Sequence, residues 1–264
     1  MKKRGQVTIF ILLGILIVAL VLSFIFLRGK IHILPVSEED LSDELEVYKG
    51  HIENCLFEVG SEKIWTLGKQ GGHLKQAQGT YRLFEGEKIS YLCWNVEGKP
   101  TCRQRLLTQE AMETELALAL KEEVLRTCLD LKSLQDFGLT YTYDLSRFNV
   151  ETDIGQDQVL ISANLPMTIS KGDLVLSQEK YSVTSGLPLG RLYETALEIL
   201  NSEASIGYFD TTVYSVAKTS TTNKQYIVQK LTPYPDKLYL VKINDVPYED
   251  REYLFQFFVQ DEAL

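Results

Sequence analysis

The sequence has few of the residues that carry most enzymatic and metal chemistry. Its three histidines, His32, His51 and His73, are scattered, and its four cysteines, Cys55, Cys93, Cys102 and Cys128, form no C-x-x-C pair. A tetrahedral zinc set would have to be gathered from distant parts of the chain, so neither a metal nor a cofactor is expected. No G-x-S-x-G nucleophile turn occurs. The Gly71-Gly72 pair is not followed by G-K-[ST], so it reads as a turn requiring positive φ and not as a phosphate-binding loop. His73, beside that turn, is left as the only candidate general base. No catalytic residue is assigned, and a non-enzymatic chain is expected. An N-x-[ST] sequon is also missing, which removes N-glycosylation. There is neither an internal repeat nor a low-complexity tract.

Charge is absent between Arg4 and Arg28. Within that interval the residues from Val7 to Leu27 are almost purely Val, Ile, Leu and Phe, and as a helix they would be about 31 Å long, the thickness of a bilayer's hydrocarbon core. A cleaved secretory signal has an apolar region of only about 7 to 15 residues and a small-residue cleavage site, whereas Arg28-Gly29-Lys30 follows here. A retained transmembrane helix over 6–27 is therefore expected, in contact with the lipid bilayer. Lys2, Lys3 and Arg4 precede it and Arg28 and Lys30 follow it, a small bias that places the basic leader in the cytoplasm. The net charge is -9, so everything beyond the span is distinctly acidic. Such a domain repels nucleic acid, and no nucleic-acid partner is expected.

Four cysteines allow three pairings. In "ISYLCWNVEGKPTCRQR" a tight turn at Glu97-Gly98 would place Asn95 opposite Pro100 and Cys93 opposite Cys102, both at non-hydrogen-bonded sites. Proline then loses no ladder bond, and the two sulfurs share one face. This leaves Cys55 for Cys128. In the chain-entropy picture the short loop contributes about 2.7 kcal/mol and the long one about 4 to 5 kcal/mol. Free buried cysteines are the competing reading. Two disulfides would place the domain in an oxidising compartment, outside the membrane.

After Pro35, Ser37 and a cluster of acids begin a helix whose apolar positions are Leu41, Leu45, Tyr48, Ile52, Cys55 and Val59, running to about Leu67 and stopped by Gly68. Thr108 caps a second helix with Met112, Leu116, Leu120, Val124, Cys128 and Leu131 inward, ending near Phe137 and Gly138. Cys55 and Cys128 meet where the two helices pack. From about Leu139 the period changes to two, with three strands and turns at Gly155 to Asp157 and Ser170 to Asp173. A helix from Pro188 to about Ser202 follows. Further strands are expected at Thr211 to Ala217, Gln225 to Leu231, Leu238 to Ile243 and Tyr253 to Gln260. The fold class is thus α+β: a transmembrane helix, long disulfide-tied helices, then a mainly antiparallel sheet with one packed helix. The expected divisions are a leader at 1–5, the span at 6–27, a linker at 28–37, a helical neck with the disulfide hairpin at 38–138, and an extracytoplasmic region at 139–264.

Tyrosine is abundant in the last region, at Tyr141, Tyr143, Tyr181, Tyr208, Tyr214, Tyr226, Tyr234, Tyr239, Tyr248 and Tyr253. It suits strand packing, and also a partner-binding surface.

Arg4-Gly5-Gln6-Val7 resembles the class III signal peptide of archaeal type IV pilin-like proteins, in which a short basic leader precedes a retained apolar helix. The resemblance implies processing between Gly5 and Gln6 by a prepilin peptidase. The layout is also similar to archaeal single-pass surface proteins with a "KGQVTIFI" type of start and an "LGxQGG" turn, here Leu67 to Gly72. Filament-forming pilins carry glutamate at the fifth mature position, where this chain has Phe10. What the resemblance implies is a membrane-anchored structural or interaction protein whose partners are copies of itself or other surface proteins. A surface-anchored hydrolase or solute-binding receptor is the alternative.

Overall fold

The computed structural model describes residues 16–18, 38–97, 102–129, 140–248 and 251–261. The leader, Gly5, Gln6 and the linker at 28–37 lie outside the described residues. So does the expected span, except for 16–18, which are helical; no helix among the described residues is long and apolar enough to cross a membrane.

The described chain is α+β, with two mainly antiparallel sheets joined by one long helix. Helix α1 covers Glu38–Lys69, and α2 covers Gln109–Thr127. The first sheet contains β1 (Tyr81–Phe84), β2 (Glu87–Asn95), β3 (Cys102–Gln104), β8 (Tyr226–Leu231), β9 (Lys237–Tyr248) and β10 (Arg251–Val259). Its order is β1-β2-β10-β9-β8, with β3 also on β2, and only β2 and β10 run parallel. The second sheet contains β4 (Thr140–Tyr143), β5 (Asn149–Ile154), β6 (Val159–Lys171) and β7 (Leu174–Ser185), all paired to β6. Helices α3 (Leu189–Ile206) and α4 (Thr211–Thr222) complete the molecule.

The seam of α1 buries Leu41, Tyr48, Ile52, Leu56, Ile64 and Leu67. Its first half lies on the second sheet, where Tyr48 stacks on Tyr141 at 4.9 Å and shares a 2.5 Å hydrogen bond with Tyr143. Its last turns lie on β10. A Cβ at Gly60 would meet Ile161 of β6, and one at Gly68 would come within 2.6 Å of the Leu254 carbonyl of β10. Gly68 therefore does not stop the helix; it lets the helix approach the central strand.

Strands β10 and β2 are neighbours, and one hydrophobic core takes residues from both sides of position 138. The second helix ends at Thr127, with Cys128 as its C-cap, so it is shorter than its apolar pattern suggests; residues 130–139 lie outside the described ones. Thr211 to Ala217 is helix and not strand. Asp210 accepts hydrogen bonds from the Thr212 and Val213 amides, and this N-cap outweighs the β-branched alternation. Two helices, not one, thus follow the second sheet.

The sheet edges are plugged by helix side chains. Glu113 of α2 accepts the Ile154 N–H of β5, Glu53 of α1 accepts the Ser182 N–H of β7, and Thr219 and Ser215 of α4 accept the Tyr226 and Val228 N–H groups of β8. Unpaired edge amides would otherwise be templates for association.

Candidate functional site

The end of α1 builds a polar hollow in the first sheet's half. The Gly72 amide donates to the Leu67 carbonyl at 2.8 Å, and Gly71 and Gly72 both take positive φ, at 73° and 84°. A side chain there would also press on the Gln256 carbonyl or the Met112 sulfur. The glycine pair thus ends the helix tightly against β10 and α2 and delivers His73 to the surface. The turn is fastened from three directions. The Gln70 carbonyl accepts from the Ser90 hydroxyl at 2.6 Å and the Gln76 amide at 3.1 Å, and Gln256 donates to the Lys69 carbonyl at 2.9 Å. From α2, Glu115 Oε1 accepts the amides of Leu74 and Lys75 at 2.7 and 2.5 Å, and its Oε2 lies 4.0 Å from His73 Nδ1.

These contacts enclose a hollow of about 170 Å³, lined by His73, Lys75, Gln76, Ala77, Thr80, Ser90, Tyr91 and Arg105. Burial lowers the His73 pKa below its ordinary value; Glu115 opposes that and Arg105 adds to it, so the imidazole is neutral at pH 7. Tyr91 donates to Asp236 at 2.6 Å, and burial together with that carboxylate pushes its phenol up to about 12. Asp236 in turn holds Arg82 at 2.7 Å, which locks the β8–β9 turn to β1. The Ser90 hydroxyl is buried and donates to Gln70, and Thr80 donates to the Ala77 carbonyl. Neither hydroxyl is bonded to the imidazole in the way a nucleophile and its base would be. The arrangement presents the positive charge of Lys75 and Arg105.

Two other hollows are larger. One of about 340 Å³ lies between α2 and β5, and one of about 420 Å³ lies on the polar outer face of the second sheet around Asn149, Glu151, Ser162 and Asn164. Among the described residues no group of three or more His, Cys, Asp or Glu side chains could hold a metal.

The disulfides are Cys55–Cys128 and Cys93–Cys102, and no cysteine is free. The register of the short one differs from that expected for a two-residue turn. Cys102 lies opposite Asn95, and Cys93 lies opposite Gln104, so the bridge is diagonal and its connection longer. A slip of two keeps both sulfurs on one face, which is why the pair still forms. Of the tyrosines, Tyr181, Tyr226, Tyr239 and Tyr253 are buried in the core, and Tyr234 is 84% exposed. Core packing thus takes four of the ten, while Tyr208 is exposed along with Tyr234. His51 is exposed on α1, and His32 lies outside the described residues. Asp210 is a helix cap, and Glu123 is held by Arg126 and by Lys63 at 3.1 Å. Glu115, Tyr91 and Arg105 were not singled out by the sequence. The one available signal was the basic Cys102-Arg103-Gln104-Arg105 stretch in an acidic domain. Comparison with protein-family models, with curated proteins and with solved structures finds no match to this chain.

Proposed function

We propose that this chain is a membrane-anchored extracytoplasmic domain that acts in surface architecture or contact, without a catalytic step. The observation that carries the reading is the oxidation state of the fold: all four cysteines are consumed in two disulfides, one in each half of the molecule. Such bonds persist outside the reducing cytosol. The charge-free run from Val7 to Leu27 supplies the anchor in this reading, and the basic leader before it stays inside. Processing between Gly5 and Gln6 by a prepilin-type peptidase belongs to the same reading. In sequence the linker at 28–37 precedes α1, whose 32 residues span about 48 Å. Other copies of the chain or neighbouring surface proteins are the partners this arrangement suits.

The test is alkaline extraction of membranes followed by amino-terminal sequencing of the retained protein. Retention in the bilayer is expected, with Gln6 as the first residue if the leader is processed. Full release into the soluble fraction would remove the anchor from the account.

A further inference from the structure

The hollow at the end of α1 differs in charge from the rest of the molecule. The chain carries a net charge of -9, yet no carboxylate lines this hollow, whereas Arg105 and Lys75 do. Lys75 has a loose surface partner, Glu122, at 3.6 Å. Arg105 follows β3 with its backbone fixed to the Leu92 carbonyl at 2.8 Å, and its guanidinium stands 5.9 Å over the Trp94 ring. Among the described residues it has no ion-pair partner. Glu115, close by, is already engaged: one oxygen takes two backbone amides and the other faces His73 Nδ1. The neighbouring polar groups have their donors committed inward, since the Gln76 amide nitrogen lies within hydrogen-bond distance of Gln70, Lys88 and Ser90.

We propose that this hollow binds the oxyanion of a small ligand or of a partner's chain, a phosphate or carboxylate group, with the Arg105 guanidinium as its charge partner and the neutral His73 ring beside it. Guanidinium matches either group through two parallel N–H donors. The volume of about 170 Å³ is below the range of about 300 to 1,000 Å³ typical of whole-ligand pockets, so it holds a charged end group and not an entire nucleotide. The overall negative charge does not prevent this, because at physiological salt its influence fades beyond about 8 Å, while the arginine acts at contact. A divalent cation is disfavoured, since no carboxylate oxygen points into the space. The inference does not depend on the anchor: the hollow would bind the same group wherever the domain resides.

The experiment uses the full chain in non-ionic detergent, labelled with ¹³C at histidine and held at one pH above neutrality. The His73 signal is assigned by its loss in H73Q. Inorganic phosphate and acetate are titrated separately, with chloride as the control at matched ionic strength. The expected result is a saturable, millimolar shift of the His73 signal with at least one of the two oxyanions and none with chloride, the His32 and His51 signals remaining still. R105Q should weaken that binding about tenfold, the loss of one charge-assisted contact, while R105K, which keeps the charge, weakens it less. Saturation by phosphate alone points to a phosphorylated ligand, and by acetate alone to a carboxylate such as a peptide terminus. Absence of a saturable shift with either anion would overturn the proposal. So would R105Q binding as tightly as the parent chain.

Discussion

The two sheets are built to different rules although one helix serves both. In the second sheet, burial alternates along β5 and β6, with Val150, Ile154, Ile161 and Ala163 inward and Asn149, Glu151, Ser162 and Asn164 toward solvent. Only one face meets α1 and α2. In the first sheet, β10 is buried from Phe255 to Val259 without alternation. Phe255 and Phe257 enter the main core, while Phe258 joins Ile89 and Leu238 on the opposite face, roofed by Phe84 and Tyr91. A one-faced sheet can shed a side chain's worth of packing into water. A two-faced central strand cannot, and its half should therefore be the stricter one where packing is tested.

Each half carries one disulfide, one close-packed glycine on α1 and plugged edge amides, so matched substitutions sharpen the comparison. The disulfides should give the largest effect. Replacing Cys55 and Cys128 by alanine opens a loop of 73 residues' separation and should lower the unfolding free energy by about 4 kcal/mol, against about 2.7 kcal/mol or less for Cys93 and Cys102, measured by denaturant titration. Equal losses would mean that the entropy of the unfolded chain does not set the difference.

The glycines come next. At Gly68 an added methyl group meets a backbone carbonyl of the central strand, which cannot turn aside, and G68A should cost about 2 kcal/mol. At Gly60 the obstacle is the tip of the Ile161 side chain, which has other rotamers. There the gain in helix propensity, about 1 kcal/mol, should offset most of the strain. A Gly60 variant less stable than the Gly68 variant would reverse the ranking of the two halves.

How much of this was legible beforehand depended on how local each cause is. The α1 seam could be read because Leu41, Tyr48, Ile52 and Cys55 repeat at helical spacing, and the second sheet because its alternation is the signature of a one-faced strand. The α4 segment was misread because Thr211-Thr212-Val213-Tyr214 alternates like a strand, while the deciding residues, Asp210 and the αL-forming Asn223, lie at its borders. The placement of β10 between β2 and β9 is a long-range choice with no local mark. The same holds for the hollow. His73 was visible as a lone imidazole beside a glycine turn, but Glu115 and Arg105 come from other elements, and only the folded α1–α2–β3 junction brings them together.

A smaller effect is expected at the edges. S215A should leave the Val228 amide of β8 without its acceptor and cost about 1 kcal/mol, read together with faster hydrogen exchange at that amide. The parallel loss at β5, E113Q, keeps an acceptor oxygen and should be milder.

The smallest effect is one of pH. Burial holds the His73 pKa below its ordinary 6.5, so between those two values the unfolded chain binds a proton that the folded chain does not. Its contribution to stability is complete above pH 6.5 and is lost as the pH falls through the folded value. H73Q should therefore flatten the stability profile just below pH 6.5 relative to the parent, and an unchanged profile would place the imidazole in contact with water.

The proposed placement is of an oxidised, folded domain on the outer side of the membrane. It is tested most directly by treating intact cells with a membrane-impermeant amine-reactive biotin, then trapping thiols with a maleimide polymer under denaturing, non-reducing conditions. The account predicts biotin on the domain's surface lysines and no added polymer until reductant is supplied, after which four are added. Four polymers without reductant, on protein that the biotin never reached, would contradict it.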